Sequence, residues 1–121
     1  VIRVSGARSA AEARALARAV GSSSLVKTAI HGADPNWGRI CMALGNAGVP
    51  VDPSRVSVSV QGLRLFVKGR PRPFDRRRAS QAMRADTVRI DIHVARGRAG
   101  ATCWASSLTE EYVRFNSAYT T

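Results

Sequence analysis

Polar and apolar positions alternate from the first residues, Val1-Ile2-Arg3-Val4, as they do along a half-buried strand. The period then changes. Ser9-Ala10-Ala11-Glu12 has the spacing of a capping box, in which Ser and Glu side chains satisfy backbone N–H groups at a helix start. The Ala-rich segment behind it runs to Val20, and Gly21 ends it. Ser22 to Ser24 form a polar hinge. The following Leu25–Ile30 run is apolar except for Lys27, which, without a paired acid or neighbouring nucleophile, reads as an exposed helical charge rather than a functional amine. Trp37, Ile40, Cys41 and Leu44 fall at i, i+3, i+4 and i+7, the apolar face of a central helix that Gly45, Asn46 and Gly48 terminate.

Beyond a Pro-bounded loop at Val49 to Pro53 the period becomes two. Val56, Val58 and Val60 alternate with Ser57 and Ser59, and Leu63, Leu65 and Val67 with Arg64 and Lys68. The intervening Gln61-Gly62 predicts a β-hairpin. Asp75 to Arg84 is a helix candidate. Val88, Ile90, Ile92 and Val94 alternate with Arg89, Asp91 and His93, and Gly97 to Gly100 reads as a tight connection to a strand at Ala101 to Ala105, which predicts a second hairpin. A second capping-box spacing, Ser107-Leu108-Thr109-Glu110, opens a terminal helix striped by Leu108, Tyr112 and Phe115. The order is strand, helix, helix, hairpin, helix, hairpin, helix, without repeats or a low-complexity linker. It predicts the α+β class, with helices packed as a single layer on a mainly antiparallel sheet and residues 1–121 forming one domain.

The central helix is fed by an unusual run, Gly32-Ala33-Asp34-Pro35-Asn36-Trp37-Gly38-Arg39. Gly32 permits a backbone angle other residues avoid, Asp34 can cap exposed N–H groups, and Pro35 suits the first helical position. A capped core helix with Arg39 solvated would account for these residues taken singly.

Composition bounds the function. At 121 residues the chain is at most one domain, and its start within a strand, without Met, suggests a processed product or a fragment. No apolar stretch reaches the roughly 20 residues that span a bilayer, and no secretory leader pattern is present, so a cytoplasmic location is expected. Cys41 and Cys103 make no disulfide framework, no Cys/His spacing suggests a metal site, and reduced thiols are expected. The formal net charge is +11, but 19 basic residues, of which only Lys27 and Lys68 are lysines, are spread from Arg3 to Arg114. Such an arginine bias arises as readily from GC-rich codons as from function. The one dense cluster, Arg70 to Arg78, lacks interleaved aromatics and reads as a solvated loop entering a helix rather than a phosphate-tracking patch.

A self-contained active site is not evident. No Ser lies in Gly-x-Ser-x-Gly, and neither a P-loop nor a dinucleotide fingerprint occurs. Acids number only 8 and are not paired for glycosidase chemistry. His31 beside the glycine turn and His93 on the polar side of a strand read as surface or hydrogen-bonded structural histidines.

The segment Leu25-Val26-Lys27-Thr28-Ala29-Ile30-His31-Gly32-Ala33-Asp34-Pro35-Asn36-Trp37-Gly38-Arg39 closely resembles a signature of the ornithine acetyltransferases, the bifunctional glutamate N-acetyltransferases of arginine biosynthesis. The terminus from Leu108 to Thr121 resembles the same family, and the two matches enclose nearly the whole chain. The resemblance implies a precursor that cleaves itself before a threonine into an α-chain and a β-chain. The new N-terminal Thr would take acetyl from N-acetylornithine and pass it to glutamate, with acetyl-CoA a donor in some members. It further implies oxyanion stabilisation from the α-chain.

On this resemblance the chain is the C-terminal part of a β-chain, within a larger α/β acetyltransferase. The nucleophile and a substrate-binding Glu in a glycine-rich segment lie upstream of Val1, so no catalytic residue is expected here. The expected partners are the α-chain and the upstream β-chain segment, assembled as a hetero-oligomer, with N-acetylornithine and glutamate as substrates and no cofactor. Two substrate-contacting positions carry over by motif, Asn116 in the expected terminal helix and Thr121 at the end. An amide both donates and accepts, and a terminal residue offers a hydroxyl and a carboxylate; a helix C-cap and a frayed tail are their structural alternatives. Asp34, Asn36 and Arg39 are expected to shape the turn beneath the site. Ala105-Ser106-Ser107 departs from the family's Gly-Cys-Asp and loses an acid. A non-catalytic relative and a basic nucleic-acid-binding module are the alternative readings.

Overall fold

The opening alternation forms an interior strand of the sheet. In a computed structural model of the chain, residues 1–105 are described in full and residues 113–119 as a backbone strand. The elements follow the chain as β1 (Ile2–Ala7), α1 (Ala10–Gly21), α2 (Ser24–His31), α3 (Trp37–Gly45), a 3-10 turn at Pro53–Arg55, β2 (Ser57–Val60), β3 (Leu63–Val67), β4 (Arg70–Pro71), α4 (Arg76–Ala82), β5 (Ile90–His93), β6 (Ala99–Ala105) and β7 (Val113–Tyr119). The strands make one seven-stranded sheet in the order β4-β3-β2-β5-β1-β6-β7. Only β1 and β5 run parallel; the other pairs are antiparallel, so the α+β expectation holds.

Register explains the layering. Ile2 stands opposite Ile90 and Cys103, and Val4 opposite Ile92 and Ala101, so these apolar residues share one face. Val58 and Val60 extend it through Ile92 and Ile90. Helix α1 lies against β1 and β6 and buries Ala13, Leu16, Ala17 and Val20, while α2 and α3 pack against α1. Arg3, Ser5, Ser59 and Asp91 occupy the alternate positions, which are only partly covered.

The Gln61-Gly62 hairpin forms as expected, with φ of 51° and 78°, both positive as a type I′ turn requires. Two expectations fail. The strands around Ile90 and Ala101 are not a hairpin, because β1 lies between β5 and β6 and pairs with both. No local pattern reveals an insertion from 90 residues away. The terminal helix fails as well, because Val113–Tyr119 is an edge strand paired to β6. Val113, Phe115 and Tyr119 are β-formers that also fit a period of two, and pairing along β6 wins over the helical stripe. The proposed capping box at Ser107 to Glu110 lies outside the described residues.

One part-buried ion pair fastens α1 to the sheet. Ser9 caps the helix by accepting from the Glu12 N–H at 3.1 Å, while a Glu12 carboxylate oxygen accepts from the Arg8 N–H at 2.7 Å. The other oxygen accepts from Arg96 Nε at 3.1 Å and Nη2 at 2.9 Å, with both side chains only 12–13% exposed. Arg96 also donates to the Pro50 carbonyl at 2.6 Å, and its backbone N–H donates to Gly6 O. The hydrogen bonds from Arg96 hold the Glu12 carboxyl below its ordinary value of 4.5, against the opposing effect of burial.

Removing one member leaves the part-buried partner charge without its hydrogen bonds, so Glu12→Gln is expected to lower the unfolding free energy by about 2 kcal/mol in urea denaturation. The Glu12 contribution is complete above pH 4.5 and is lost as pH falls through the lower folded value. Stepped-pH denaturation should therefore show a shallower acid loss in Glu12→Gln than in the parent.

Candidate functional site

The signature segment folds into an elbow between two helices. Ser23 caps α2 by accepting from the Val26 N–H at 3.2 Å. At the other end Ala33 N–H donates to Ile30 O and Asp34 N–H to Ala29 O, the bond pattern of a Schellman motif. Its left-handed residue is Ala33, with φ of 53°, whereas Gly32 has φ of −84°. The expected special angle therefore falls one residue later, because the motif places its left-handed residue after the C-cap. The N-cap of α3 is likewise Asn36 rather than Asp34, and its side-chain oxygen accepts from the Arg39 N–H at 3.0 Å. This moves Pro35 outside the first helical position.

The remaining motif residues brace the elbow. Asn36 Nδ2 donates to Asp34 at 3.2 Å, and Arg76 of α4 reaches the same carboxylate at 3.2 Å. Arg39 donates to the Leu25 carbonyl at 3.0 Å and ties α3 to the start of α2 rather than standing solvated. Trp37 stacks on Phe66 of β3 with centroids 4.8 Å apart, and Ile40 and Leu44 are buried. The expected apolar helix face is present.

A cleft of about 620 Å³ opens beside this elbow. Val26, Lys27, Ile30 and His31 of α2 line one side, the segment from Met83 to Val88 another, and Val1, Trp104 and Ala105 complete the rim. The loop before β5 is pinned by Gln61, whose side-chain amide donates to Ala82 O at 2.8 Å and Thr87 O at 3.2 Å and whose carbonyl accepts from the Arg89 N–H at 2.8 Å. The Val1 nitrogen donates to Val88 O at 2.8 Å. Lys27 and His31 stand one helical turn apart on the cleft side of α2.

Other candidates lie elsewhere. Asn116 falls in β7, at a backbone position opposite Thr102, and Thr121 lies outside the described residues. Cys41 and Cys103 are free thiols whose pKa values burial raises, which keeps them neutral. His93 Nδ1 lies 2.9 Å from Ser5 Oγ, a pairing its neighbours in sequence do not disclose because the parallel β1–β5 register creates it. Gly6 makes room for the ring: its φ is +74°, and a Cβ there would stand 2.6 Å from His93 Cε1. Among the described residues no group of three or more His, Cys, Asp or Glu side chains is placed to hold a metal, and no helix is long and apolar enough to cross a membrane.

An α+β layer with a signature elbow beside a mixed polar and apolar cleft is the structural class so defined. The chain matches the ArgJ family over residues 1–121 and belongs to that family. It is 48% identical to the arginine biosynthesis bifunctional protein ArgJ of Thermus thermophilus over 121 residues, covering 100% of this chain and 32% of that protein. The chloroplastic ArgJ of Citrullus lanatus is 47% identical over 125 residues, covering 99% of this chain and 27% of that one. The crystal structure of ArgJ from Bacillus halodurans superposes with a TM-score of 0.86 at 33% identity, over 92% of this chain and 53% of its own. The chain thus spans about a third of the length of the Thermus relative and about half of the crystallised chain.

Asn36→Ala should lower the unfolding free energy by about 1 kcal/mol through loss of the helix cap. Ala33→Gly, which relieves a left-handed backbone, should not lower it. Paired chemical denaturation curves test the contrast.

Proposed function

We propose that this chain is part of an ornithine acetyltransferase-like enzyme that moves acetyl from N-acetylornithine to glutamate through an N-terminal threonine acyl-enzyme. Acetyl-CoA is a further possible donor. The match to the ArgJ family along residues 1–121 carries this reading. In it the chain is the C-terminal portion of the β-chain, and the nucleophile belongs to a preceding segment.

The cleft fits that role in two respects. Val1 lines it, and the resemblance puts a substrate-binding Glu in the segment before Val1. Trp104 and Ala105 also line it, and the chain continues from them to Asn116 and Thr121, the two positions proposed to contact substrate. A free threonine amine serving as base, an α-chain oxyanion hole and a hetero-oligomer of α- and β-chains belong to the same proposal. So do cytoplasmic biosynthesis of an amino acid and a reaction without a resident cofactor.

Part of the basic excess is engaged within the chain. Arg76 and Arg89 pair with Asp34 and Asp91, Arg96 pairs with Glu12, and Arg39 and Arg55 reach backbone carbonyls.

The chain alone is expected to transfer no acetyl between N-acetylornithine and glutamate, and co-expression with the preceding segment and α-chain to restore transfer. Robust turnover by the isolated chain would sink the proposal. In the complete enzyme, Asn116→Ala and deletion of Thr121 should each raise KM roughly tenfold, the scale of one lost charge-assisted hydrogen bond. Unchanged KM values for both substrates would remove those two assignments.

A further inference from the structure

Every lysine and arginine among the described residues is exposed except Lys27, Arg39 and Arg96. Arg96 is neutralised by Glu12, and Arg39 donates to the Leu25 carbonyl. The Lys27 side chain alone of the three has no ion pair or hydrogen bond among the described residues. Its stem is partly covered, which holds the ammonium at the cleft, where an anion would meet it. Its position gives that anion a place, because Lys27 lines the cleft between the apolar side chains of Val26 and Ile30.

The surroundings define the anion's chemistry. Arg84 adds a second cation to the lining, and Asp86 is its single acid among the described residues. A lysine is a compact donor with three N–H bonds, suited to a carboxylate, while Val26 and Ile30 offer an aliphatic chain an apolar surface. A volume of about 620 Å³ admits an amino acid with its chain extended.

We propose that Lys27 recognises a carboxylate of the amino-acid substrate in this cleft. The inference rests on the function proposed above and adds a residue to it. Lys27 binds and orients the substrate but has no part in acetyl transfer, so its loss raises KM and leaves kcat nearly unchanged.

The test uses the complete, self-processed enzyme with Lys27→Met, Lys27→Gln and Lys27→Arg variants. Steady-state kinetics for glutamate and N-acetylornithine are combined with calorimetric binding of glutamate and thermal denaturation. Lys27→Met and Lys27→Gln should each raise KM for glutamate roughly tenfold with kcat within about twofold, and Lys27→Arg should recover most of the loss. A matching rise for N-acetylornithine assigns the α-carboxylate, and a rise for glutamate alone assigns its side-chain carboxylate.

Unchanged KM for both substrates in a folded variant overturns the proposal. A fall in stability or self-processing with KM unchanged also overturns it, since Lys27 would then pair with a carboxylate of the protein. A parent enzyme that binds glutamate in a Lys27-dependent way yet transfers no acetyl removes the proposed function and keeps this inference. Acetyl transfer with Lys27→Met kinetics unchanged removes only the inference.

Discussion

The contact between Glu12 and Arg96 is the constraint from which the rest of the arrangement follows. The two residues are 84 positions apart, and their charges are largely screened from water, so each depends on the other for its hydrogen bonds. Glu12 belongs to the first turn of α1, and Arg96 to the connection between β5 and β6. Joining them fixes the tilt of the helix against the sheet and closes the connection over the end of β1. Arg96 also reaches the Pro50 carbonyl, which draws the loop after α3 into the same knot. The Gly6 and Gly97 backbones crowd into this corner, where a Cβ on either would lie 2.6 Å from another atom.

The opposite end of β1 is open. There the last turn of α1, the inner side of α2 and the loop before β5 surround a cleft instead of closing on one another. The signature elbow braces α2 and α3 through a cap, a Schellman motif and the Arg39 bond to Leu25. Rigidity at one end of the strand and an open cleft at the other suit a domain that holds side chains around a binding surface. The motif residues contribute as a brace, and from the same signature Val26, Lys27, Ile30, His31 and Ala33 line the cleft.

Much of this was legible from local pattern. Ser9 and Glu12 announced the start of α1, Trp37 to Leu44 announced the buried face of α3, and Gln61-Gly62 announced the hairpin, because each signal and its consequence lie within a few residues. What escaped depends on distance in sequence. The insertion of β1 between β5 and β6, the Ser5–His93 pair and the Glu12–Arg96 bridge are set by register between segments far apart. The edge strand at Val113–Tyr119 escaped for a different reason: its residues suit both periods, and only the presence of β6 decides between them. For Lys27 the local pattern reads as a solvated charge, whereas the fold covers it in part at the cleft, a placement that depends on segments distant in sequence.

The interior position of β1 also governs the order in which this domain can assemble. Its neighbours on both sides, β5 and β6, are the elements from Ile90 to Ala105, so β1 is made well before either of the strands it pairs with. Until then Ile2 and Val4 have no sheet to join, and α1 has no floor to cover. Such long-range closure slows folding and prolongs the exposure of unpaired strands, including the valine-rich β2–β3 hairpin whose inner edge also awaits β5. The domain is sealed from its middle, and late.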